Sequence, residues 1–432
     1  MSIVTRRQFL GSSGLGAAAA LTLSATAAGA KPRDADLPPS IAALTSRRHE
    51  ATPITRQERM ERHERARRLM AAQGLDAIVM SEGTSLVYFT GIHWWPSERL
   101  LAAVLPAKGD AFYVCPAFEE GRAREQLASS TDADRADVRV WHEDESPYER
   151  VAQGLRDRGI ATGRVGLEET MRFMFSDGIS KAAPQLQIQS AKPVTAGCRM
   201  VKSPHELALM KLASEVTLQA YEAGYKAARV GMTHHELSEL TRIAHERIGF
   251  EGAADLVLTG EWTAFPHGSV TPQVIREDSI ILFDGGCTVE GYQSDLTRTF
   301  VLGKATPKMR TVFAAVKEAQ SAALAAARPG APCGSVDAAA RAVITAAGFG
   351  PDYKHFTHRL GHGIGMDGHE WPYLVRGNQT PLEVGMTTSN EPGVYIRGEF
   401  GIRLEDDMHV TEDGARLFTP QSRSLEEPFA RG

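Results

Sequence analysis

The stretch Ile280-Ile-Leu-Phe-Asp284-Gly-Gly-Cys-Thr-Val-Glu-Gly-Tyr-Gln-Ser-Asp295-Leu-Thr-Arg-Thr-Phe300 organises this chain. An apolar run ends at Asp284, a glycine-rich segment with Gly285, Gly286 and Gly291 predicts a turn, and a second β-prone run follows through Asp295. As two antiparallel strands, the stretch folds Asp295 back beside Asp284. Two buried carboxylates repel each other and lose solvation, so they need a cation or a shared proton. The alternative is that one or both are turn residues that face water, because Asp beside Gly is common turn chemistry.

The first 30 residues differ from the rest of the chain. Paired arginines at Arg6 and Arg7 precede a weakly apolar Gly/Ala run that ends at Ala28-Gly29-Ala30, a small-x-small cleavage pattern. This stretch resembles a bacterial twin-arginine export signal, which implies export to the periplasm or secretion. The alternative is a disordered Ala-rich tail. Residues 31–53 are expected to form a linker.

Composition places the rest of the chain among ordinary globular proteins. The 432 residues are 42% hydrophobic and 23% charged, with a net charge of −5, which suits two or three cores and gives no reason to expect nucleic acid as a partner. No later apolar run is long enough to predict a membrane span. The four cysteines are scattered, so no disulfide can be argued, and Cys287 is expected to serve packing rather than metal binding.

Residues 54–195 mix helical and strand patterns in the manner of an α/β domain. A capping box from Thr55 to Glu58 starts the first helix. Residues 85–90 are β-prone and are predicted as a strand. No catalytic cluster stands out here. The tandem Trp94 and Trp95 either mark a contact surface or pack within their own domain.

Residues 196–432 are expected to form a second, α+β domain. Capping boxes at Ser203 and Thr233 each start a helix, and two more helices lie between strand-rich stretches. This order predicts helices that cover one face of a curved antiparallel sheet.

Four short motifs accompany the two aspartates, and each is weak by itself. A lone His among glycines is more often a loop residue, Glu391 before Pro-Gly could be a turn, and Glu405 could lie on a solvated strand face. Together they supply four carboxylates and one imidazole: Asp284, Asp295, His362, Glu391 and Glu405. Such a set favours Mn²⁺ and tolerates Co²⁺, Zn²⁺ or Fe²⁺, and the number of ligands suits two metal ions that share bridging carboxylates.

This ordered set resembles the five ligands of the M24 metallopeptidases, which include Xaa-Pro aminopeptidases, prolidases and methionine aminopeptidases. The motifs that carry the resemblance are Asp-Gly-Gly at 284, Ser-Asp-Leu-Thr-Arg-Thr at 294, His-Gly-Ile-Gly at 362, Asn-Glu-Pro-Gly at 390 and Arg-Leu-Glu-Asp at 403. It implies a pita-bread domain, α+β in class. The leading segment resembles the α/β creatinase/prolidase N-terminal domain, which methionine aminopeptidases lack. Creatinase shares the fold without the metal ligands, so a metal-free reaction of that kind is not expected here.

The resemblance also implies how the residues act. Glu391, itself a ligand, would take a proton from the attacking water and pass it to the leaving nitrogen. His267, His358 and His369 match substrate-contacting histidines. His369 would donate to the scissile carbonyl or the intermediate, and the other two would line the proline side. Arg403 would hold a neighbouring acid or a substrate carboxylate. The expected substrate is a peptide with proline at its second position, and the expected assembly is a homodimer in which the Trp pair could cover a partner's pocket.

Other interpretations stay open at this point. The same scaffold could carry a non-peptide lyase or hydrolase, such as a dimethylsulfoniopropionate lyase, although those carry an altered ligand set. It could also be an inactive binding module, although no ligand is missing. His358 could simply orient the loop of His362, four residues away. Nothing in the sequence separates dipeptides from longer peptides as substrates.

Overall fold

The computed structural model describes residues 36–128, 130 and 136–429, without the side chains of 253–255. The expected export signal, residues 1–30, lies outside these residues. Among the described residues, no helix combines the length and the apolar character that a membrane crossing needs. No disulfide joins the four cysteines, all of which are buried.

The N-terminal domain, defined here as helices α2–α7 and a six-stranded sheet, follows a short α1 (Pro39–Ala42). The sheet has the order β4-β3-β2-β1-β5-β6, with antiparallel pairs in its centre and parallel pairs towards both edges. The elements are α2 (Arg56–Gln73), β1 (Ala77–Met80), α3 (Thr84–Thr90), β2 (Ala102–Pro106), β3 (Phe112–Pro116), α4 (Glu120–Leu127), β4 (Asp137–Trp141), α5 (Pro147–Asp157), β5 (Gly163–Leu167), α6 (Phe173–Ala182), β6 (Leu186–Ser190) and α7 (Lys192–Met200).

The C-terminal domain, defined as α8–β17, is built from antiparallel sheets and four helices. Its elements are α8 (Pro204–Ala227), α9 (His234–Ile248), β7 (Glu251–Thr259), β8 (Ser279–Val289), β9 (Tyr292–Gln293), β10 (Leu296–Leu302), α10 (Pro307–Ala326), α11 (Cys333–Ala346), β11 (Gly361–Gly363), β12 (Glu370–Leu374), β13 (Thr387–Asn390), β14 (Gly393–Ile396), β15 (Phe400–Arg403), β16 (Asp406–Thr411) and β17 (Gly414–Leu417).

Two sheets of this domain meet at one point. One has the order β10-β8-β7, with β9 beside β8, and the other has the order β12-β11-β13-β16-β17. A β-bridge between Thr297 and Glu405 joins them. Buried apolar residues of α10 and α11 pack against the second sheet, and those of α8 and α9 pack against the first. This arrangement agrees with the predicted α+β class and with helices that cover antiparallel sheets.

Helix starts follow the sequence signals closely. Thr55, Ser203 and Thr233 each form the predicted capping box, in which the side chain accepts from the amide three residues on while the Glu at that position bonds back. Each box satisfies backbone donors that would otherwise stay unpaired at a helix N-terminus. The predicted domain boundary at residue 195/196 lies inside α7, and its placement stays a prediction.

The predicted strand at residues 85–90 is wrong, because this segment forms α3. The helix lies between two glycines with positive φ, Gly83 at 135° and Gly91 at 77°. Its β-branched and aromatic residues suggested a strand, but Leu86 and Phe89, three positions apart, share the face that packs into the core. Tertiary burial of a helical face therefore outweighed local β-propensity.

The central hairpin reverses later than the sequence predicted. The β8 strand continues through Gly285 and Gly286 to Val289, and the chain turns at Glu290 and Gly291, with φ of 49° and 85°. Gly286 serves a close approach instead, because a Cβ there would lie 1.7 Å from the carbonyl oxygen of Ser294. The expected consequence still holds, since Asp284 pairs with Thr297, two residues beyond Asp295.

Candidate metal centre

The five predicted ligands come together where the two sheets meet. Asp284 lies on β8, Asp295 directly precedes β10, and His362 is the central residue of β11. Glu391 directly follows β13, and Glu405 directly precedes β16. Each member thus lies on a strand or directly beside one, which fixes the backbone positions by ladder hydrogen bonds rather than by loops.

Their ligand atoms form overlapping groups small enough to hold metal ions. Three sets each have all their ligand atoms within 4.8 Å of one another: Asp284, Asp295 and Glu405; His362, Glu391 and Glu405; and Asp295, His362 and His369. The His362 Nε2 atom lies 3.3 Å from Glu391 Oε1 and 3.8 Å from Asp295 Oδ2. Sharing of members between the sets is what a pair of bridged metal ions requires.

Burial and mutual repulsion raise the pKa of three acids of this cluster. Desolvation, followed by the charges of Asp284 and neighbouring acids, raises the pKa of Asp295 well above its usual range. Desolvation and the charge of Asp295 do the same for Glu405. Desolvation, partly offset by Arg403, raises the pKa of Glu391 to about 7. Such a cluster binds either protons or cations.

The residues fit a pair of divalent cations. Glu405 is 2% exposed, and its Oε1 atom has no hydrogen-bond partner among the described residues. A buried carboxylate oxygen without a donor is costly unless a cation takes that place. Four carboxylates and one imidazole are a donor set for hard or borderline divalent ions rather than for a structural zinc.

Arg403 is the cation in direct contact with the cluster. Its NH2 donates to Asp284 Oδ2 at 2.5 Å, and its Nε donates to the Thr297 hydroxyl at 2.9 Å. Its NH1 contacts the Tyr395 hydroxyl and the carbonyl of Pro266. The side chain is buried and these internal contacts engage its donors, so its geometry suits holding an acid better than binding a substrate carboxylate.

The three predicted substrate histidines differ in their surroundings. His369 is exposed and stacks on His362, with ring centroids 3.8 Å apart and an angle of 17° between the rings. His267 is exposed and lines a cavity of about 580 Å³ together with Asp284. His358 is more enclosed, with Nδ1 donating to the carbonyl of Arg359 and Nε2 lying 2.7 Å from the Tyr395 hydroxyl. Burial lowers the pKa of His358 to about 3, so this ring is neutral.

Sequence reasoning gave no role to three residues that contact this centre or act on it through neighbouring side chains or charge. The Thr297 hydroxyl lies 2.9 Å from Asp284 Oδ1 and 2.6 Å from Glu405 Oε2, so it bridges the two sheets. The Tyr395 hydroxyl links His358 to Arg403. Burial lowers the pKa of His362 and His369, and the positive charge of Arg359 adds to that effect; the same charge partly opposes the burial that raises the pKa of Glu391. Thr297 and Arg359 stand inside the motifs, within three residues of a predicted ligand, and that adjacency was the available signal.

The fold and the cluster define a hydrolytic metalloenzyme of two domains, and sequence comparison shows its family. Residues 208–412 match metallopeptidase family M24, and residues 62–201 match the creatinase/prolidase N-terminal domain. The chain belongs to metallopeptidase family M24. This membership confirms the predicted pita-bread fold, its α/β leading domain and the class of enzyme, and it implies a dinuclear metal site.

The similarity to named relatives extends over almost the whole length of each relative. An Xaa-Pro dipeptidase of Lactobacillus delbrueckii subsp. lactis is 33% identical over 82% of this chain and 95% of the relative. One of Lactobacillus helveticus is 31% identical over 81% and 94%. Among solved structures, the dipeptidase PepE from Mycobacterium ulcerans superposes with a TM-score of 0.81 at 32% identity, covering 87% of this chain and 99% of that chain.

We predict that metal binding at about pH 6 releases protons from carboxyl groups and not from the imidazole. The pKa of Glu391, at about 7, leaves it mostly protonated there, whereas His362, with a pKa lowered to about 3, is already neutral. Because the carboxyl pKa values are raised, affinity for Mn²⁺ should increase as the pH rises through 7. Calorimetry in buffers of different ionisation enthalpy measures the proton release.

Glu391→Gln is the matched variant for that measurement, since it keeps the shape and removes the titrating carboxyl. It should release about one proton fewer than the unaltered protein at the same pH. Absence of proton release from the unaltered protein at about pH 6 would contradict the raised carboxyl pKa values.

Proposed function

We propose that this chain hydrolyses the Xaa-Pro bond of dipeptides at a centre that holds two divalent metal ions. The observation that carries the proposal is the convergence of four acids and one histidine within the 4.8 Å groups described above. The similarity to Xaa-Pro dipeptidases over most of both chains supports it. A bond before proline needs a dedicated site, because the imide nitrogen has no N–H and the ring restricts the backbone.

In this proposal the ligands are the five residues that the sequence predicted, Asp284, Asp295, His362, Glu391 and Glu405. Two bound divalent ions lower the pKa of a water and offset the charge that develops on the carbonyl oxygen. Mn²⁺ is the favoured ion, with Co²⁺, Zn²⁺ and Fe²⁺ as possible replacements, because the donor set is mostly carboxylate.

The remaining residues handle protons and orient the substrate. Glu391, whose Oε1 lies 3.3 Å from His362 Nε2 in the cluster, can accept a proton from the attacking water and return it to the leaving proline nitrogen. His369 faces solvent beside His362 and donates to the scissile carbonyl oxygen. His267 lines the cavity on the Asp284 side and contacts the proline. His358 and Arg403 support the site without contacting the substrate, because Tyr395 and its neighbours engage their polar atoms.

Arg359 suits the free carboxylate that distinguishes a dipeptide from a longer substrate. Its guanidinium lies over the ring of Tyr373, with Cζ 4.2 Å from the centroid. Its positive charge acts on His369, because it adds to the burial that lowers the pKa of that ring. A planar guanidinium binds a carboxylate through two parallel hydrogen bonds.

We predict metal-dependent cleavage of an Xaa-Pro dipeptide. The metal-free protein should be inactive and should regain activity with Mn²⁺. The variant Arg359→Ala should raise KM for the dipeptide by about 10- to 100-fold, as expected for loss of a charge-assisted pair, while KM for the dipeptide amide changes little. Steady-state kinetics on both substrates provides the test.

Each failure of that assay has its own meaning. Efficient cleavage of an Xaa-Pro-Xaa tripeptide would indicate an aminopeptidase instead. Two metal ions bound without cleavage of any peptide would leave the ligands in place and redirect the search to non-peptide substrates. An equal KM effect of Arg359→Ala on dipeptide and amide would remove the carboxylate role of Arg359 alone.

The proposal extends to export and location. We infer that residues 1–30 direct twin-arginine export and that the mature enzyme works in the periplasm or outside the cell. The support is the Arg6-Arg7 pair followed by the Gly/Ala run and the Ala28-Gly29-Ala30 pattern. Such export carries folded proteins, which suits a metal centre that is filled before transport.

Replacing both Arg6 and Arg7 by Lys should retain the enzyme inside the cell, whereas the unaltered chain should appear in the exported fraction in shortened form. Cell fractionation with immunoblotting measures this. Equal export of the double variant would contradict the twin-arginine assignment.

We also propose that the enzyme is a homodimer. Trp95 is 74% exposed, which is unusual for so large an apolar side chain, whereas Trp94 is partly covered and packs beneath the guanidinium of Arg122. Light scattering should give twice the mass of one chain. The variant Trp95→Ala should shift the mass towards the monomer, and a monomeric unaltered protein would contradict the proposal.

A further inference from the structure

The loop between β11 and β12, residues 364–369, connects the two stacked histidines. His362 lies on β11 before the loop, and His369 is its last residue. The loop is short, so its position determines where the exposed His369 ring stands. The contacts that hold this loop therefore also determine where His369 is placed.

Side chains from the N-terminal domain bind the loop directly. The Thr84 hydroxyl, from α3, donates to Asp367 Oδ1. Arg199, near the end of α7, donates through NH2 to Asp367 Oδ2 at 2.5 Å and also to Glu370 Oε1. Asp367 and Glu370 lie on either side of His369, so two anchors flank the histidine.

The Glu370 anchor is buried and charge-balanced. The side chains of Arg199, Lys202 and Glu370 are 10%, 2% and 5% exposed. The Lys202 ammonium lies 3.4 Å from Glu370 Oε2, and the Asp367 amide donates to Glu370 Oε1 at 3.0 Å. Two cations thus surround Glu370 and contribute to a lowered pKa despite its burial.

The backbone of the loop lies directly against these groups. A Cβ at Gly365 would stand 2.8 Å from Lys202 Cε and 2.9 Å from Glu370 Oε2. Met366, the next residue, packs against the apolar core of the N-terminal domain. On the other side, Gln293 donates through Nε2 to the Met366 carbonyl at 3.0 Å. The loop is therefore clamped between the domains rather than free at the surface.

We propose that Thr84 and Arg199 are positioning residues that hold His369 in its working place through Asp367 and Glu370. This inference rests on the proposed function, in which His369 contacts the substrate carbonyl. Neither residue touches substrate or metal in this proposal. The N-terminal domain accordingly contributes to the catalytic geometry of the C-terminal domain.

Thr84→Val is the sharpest test, because it is nearly isosteric and removes only the hydroxyl donor. In the metal-loaded enzyme it should lower kcat for the dipeptide by about 3- to 30-fold, with a smaller change in KM. In a His369→Ala background the same substitution should change kcat by less than about twofold, because its target is gone. Thr84→Ser should restore activity.

Tyr88→Phe is the matched control. Tyr88 also lies on α3, and its hydroxyl also bonds across to α7, at the Cys198 carbonyl, but it does not reach the loop. This variant should leave kcat unchanged even where thermal stability falls as much as in Thr84→Val. Arg199→Lys, assayed beside them, should give a partial loss, since an ammonium cannot reach both carboxylates in the same way.

A readout without substrate separates this inference from the proposed function. The imidazole resonances of labelled histidine report the surroundings of His369, which is assigned by its loss in His369→Ala. Thr84→Val should shift that resonance and Tyr88→Phe should not. An unchanged resonance, or equal effects of Thr84→Val on kcat with and without His369, would overturn the positioning role. Unchanged activity in His369→Ala would overturn the role of His369 in the proposed function instead.

Discussion

The repulsion among four carboxylates at the meeting point of two sheets is the constraint on which the rest of this structure depends. Desolvation and neighbouring charge raise the pKa of Asp295, Glu391 and Glu405. Among the described residues, the Arg403 guanidinium is the cation that touches the group directly, and its single positive charge cannot balance four negative ones. The remaining imbalance must be met by protons or by metal ions. The folded chain alone therefore leaves the site with excess negative charge. The same burial that makes this charge costly also favours the binding of cations.

Such a cluster persists only on a backbone that cannot relax away from it. Strand ladders supply that rigidity, because each acid lies on or directly beside a paired strand. Thr297 adds the cross-link between sheets, since its backbone bridges to Glu405 and its hydroxyl lies within hydrogen-bonding distance of both Asp284 and Glu405. The close approach at Gly286 belongs to the same requirement, because any side chain there would collide with the backbone of Ser294, the residue directly before Asp295. The rigid strands and the Thr297 hydroxyl thus fix the distances between the carboxylates that would bind two metal ions.

Much of this could be read from the sequence, and the failures have a common cause. Local signals succeeded where the determining interaction is local, as in the capping boxes at Thr55, Ser203 and Thr233. They failed at residues 85–90, where burial of a helical face decided the conformation, and at Gly285 and Gly286, which continue β8 instead of forming a turn. Gly286 serves close packing. The five candidate ligands could be predicted because each stands in a short motif. Tyr395 was missed because its link from His358 to Arg403 exists only after the strands have assembled.

Contacts that form only in the folded chain also decide the character of the segment between the two domains. Sequence patterns place the domain boundary at residue 195/196, yet the nearby side chains of Arg199 and Lys202 are only 10% and 2% exposed, and both bind Glu370. Removing one partner from a buried ion pair costs about 3–5 kcal/mol, because the other charge is left uncompensated. The N-terminal domain therefore cannot turn away from the C-terminal domain without breaking contacts that adjoin His369. A domain that carries no ligand of the metal centre is in this way tied to its geometry, because the boundary between the domains is a packed ionic interface and not a linker.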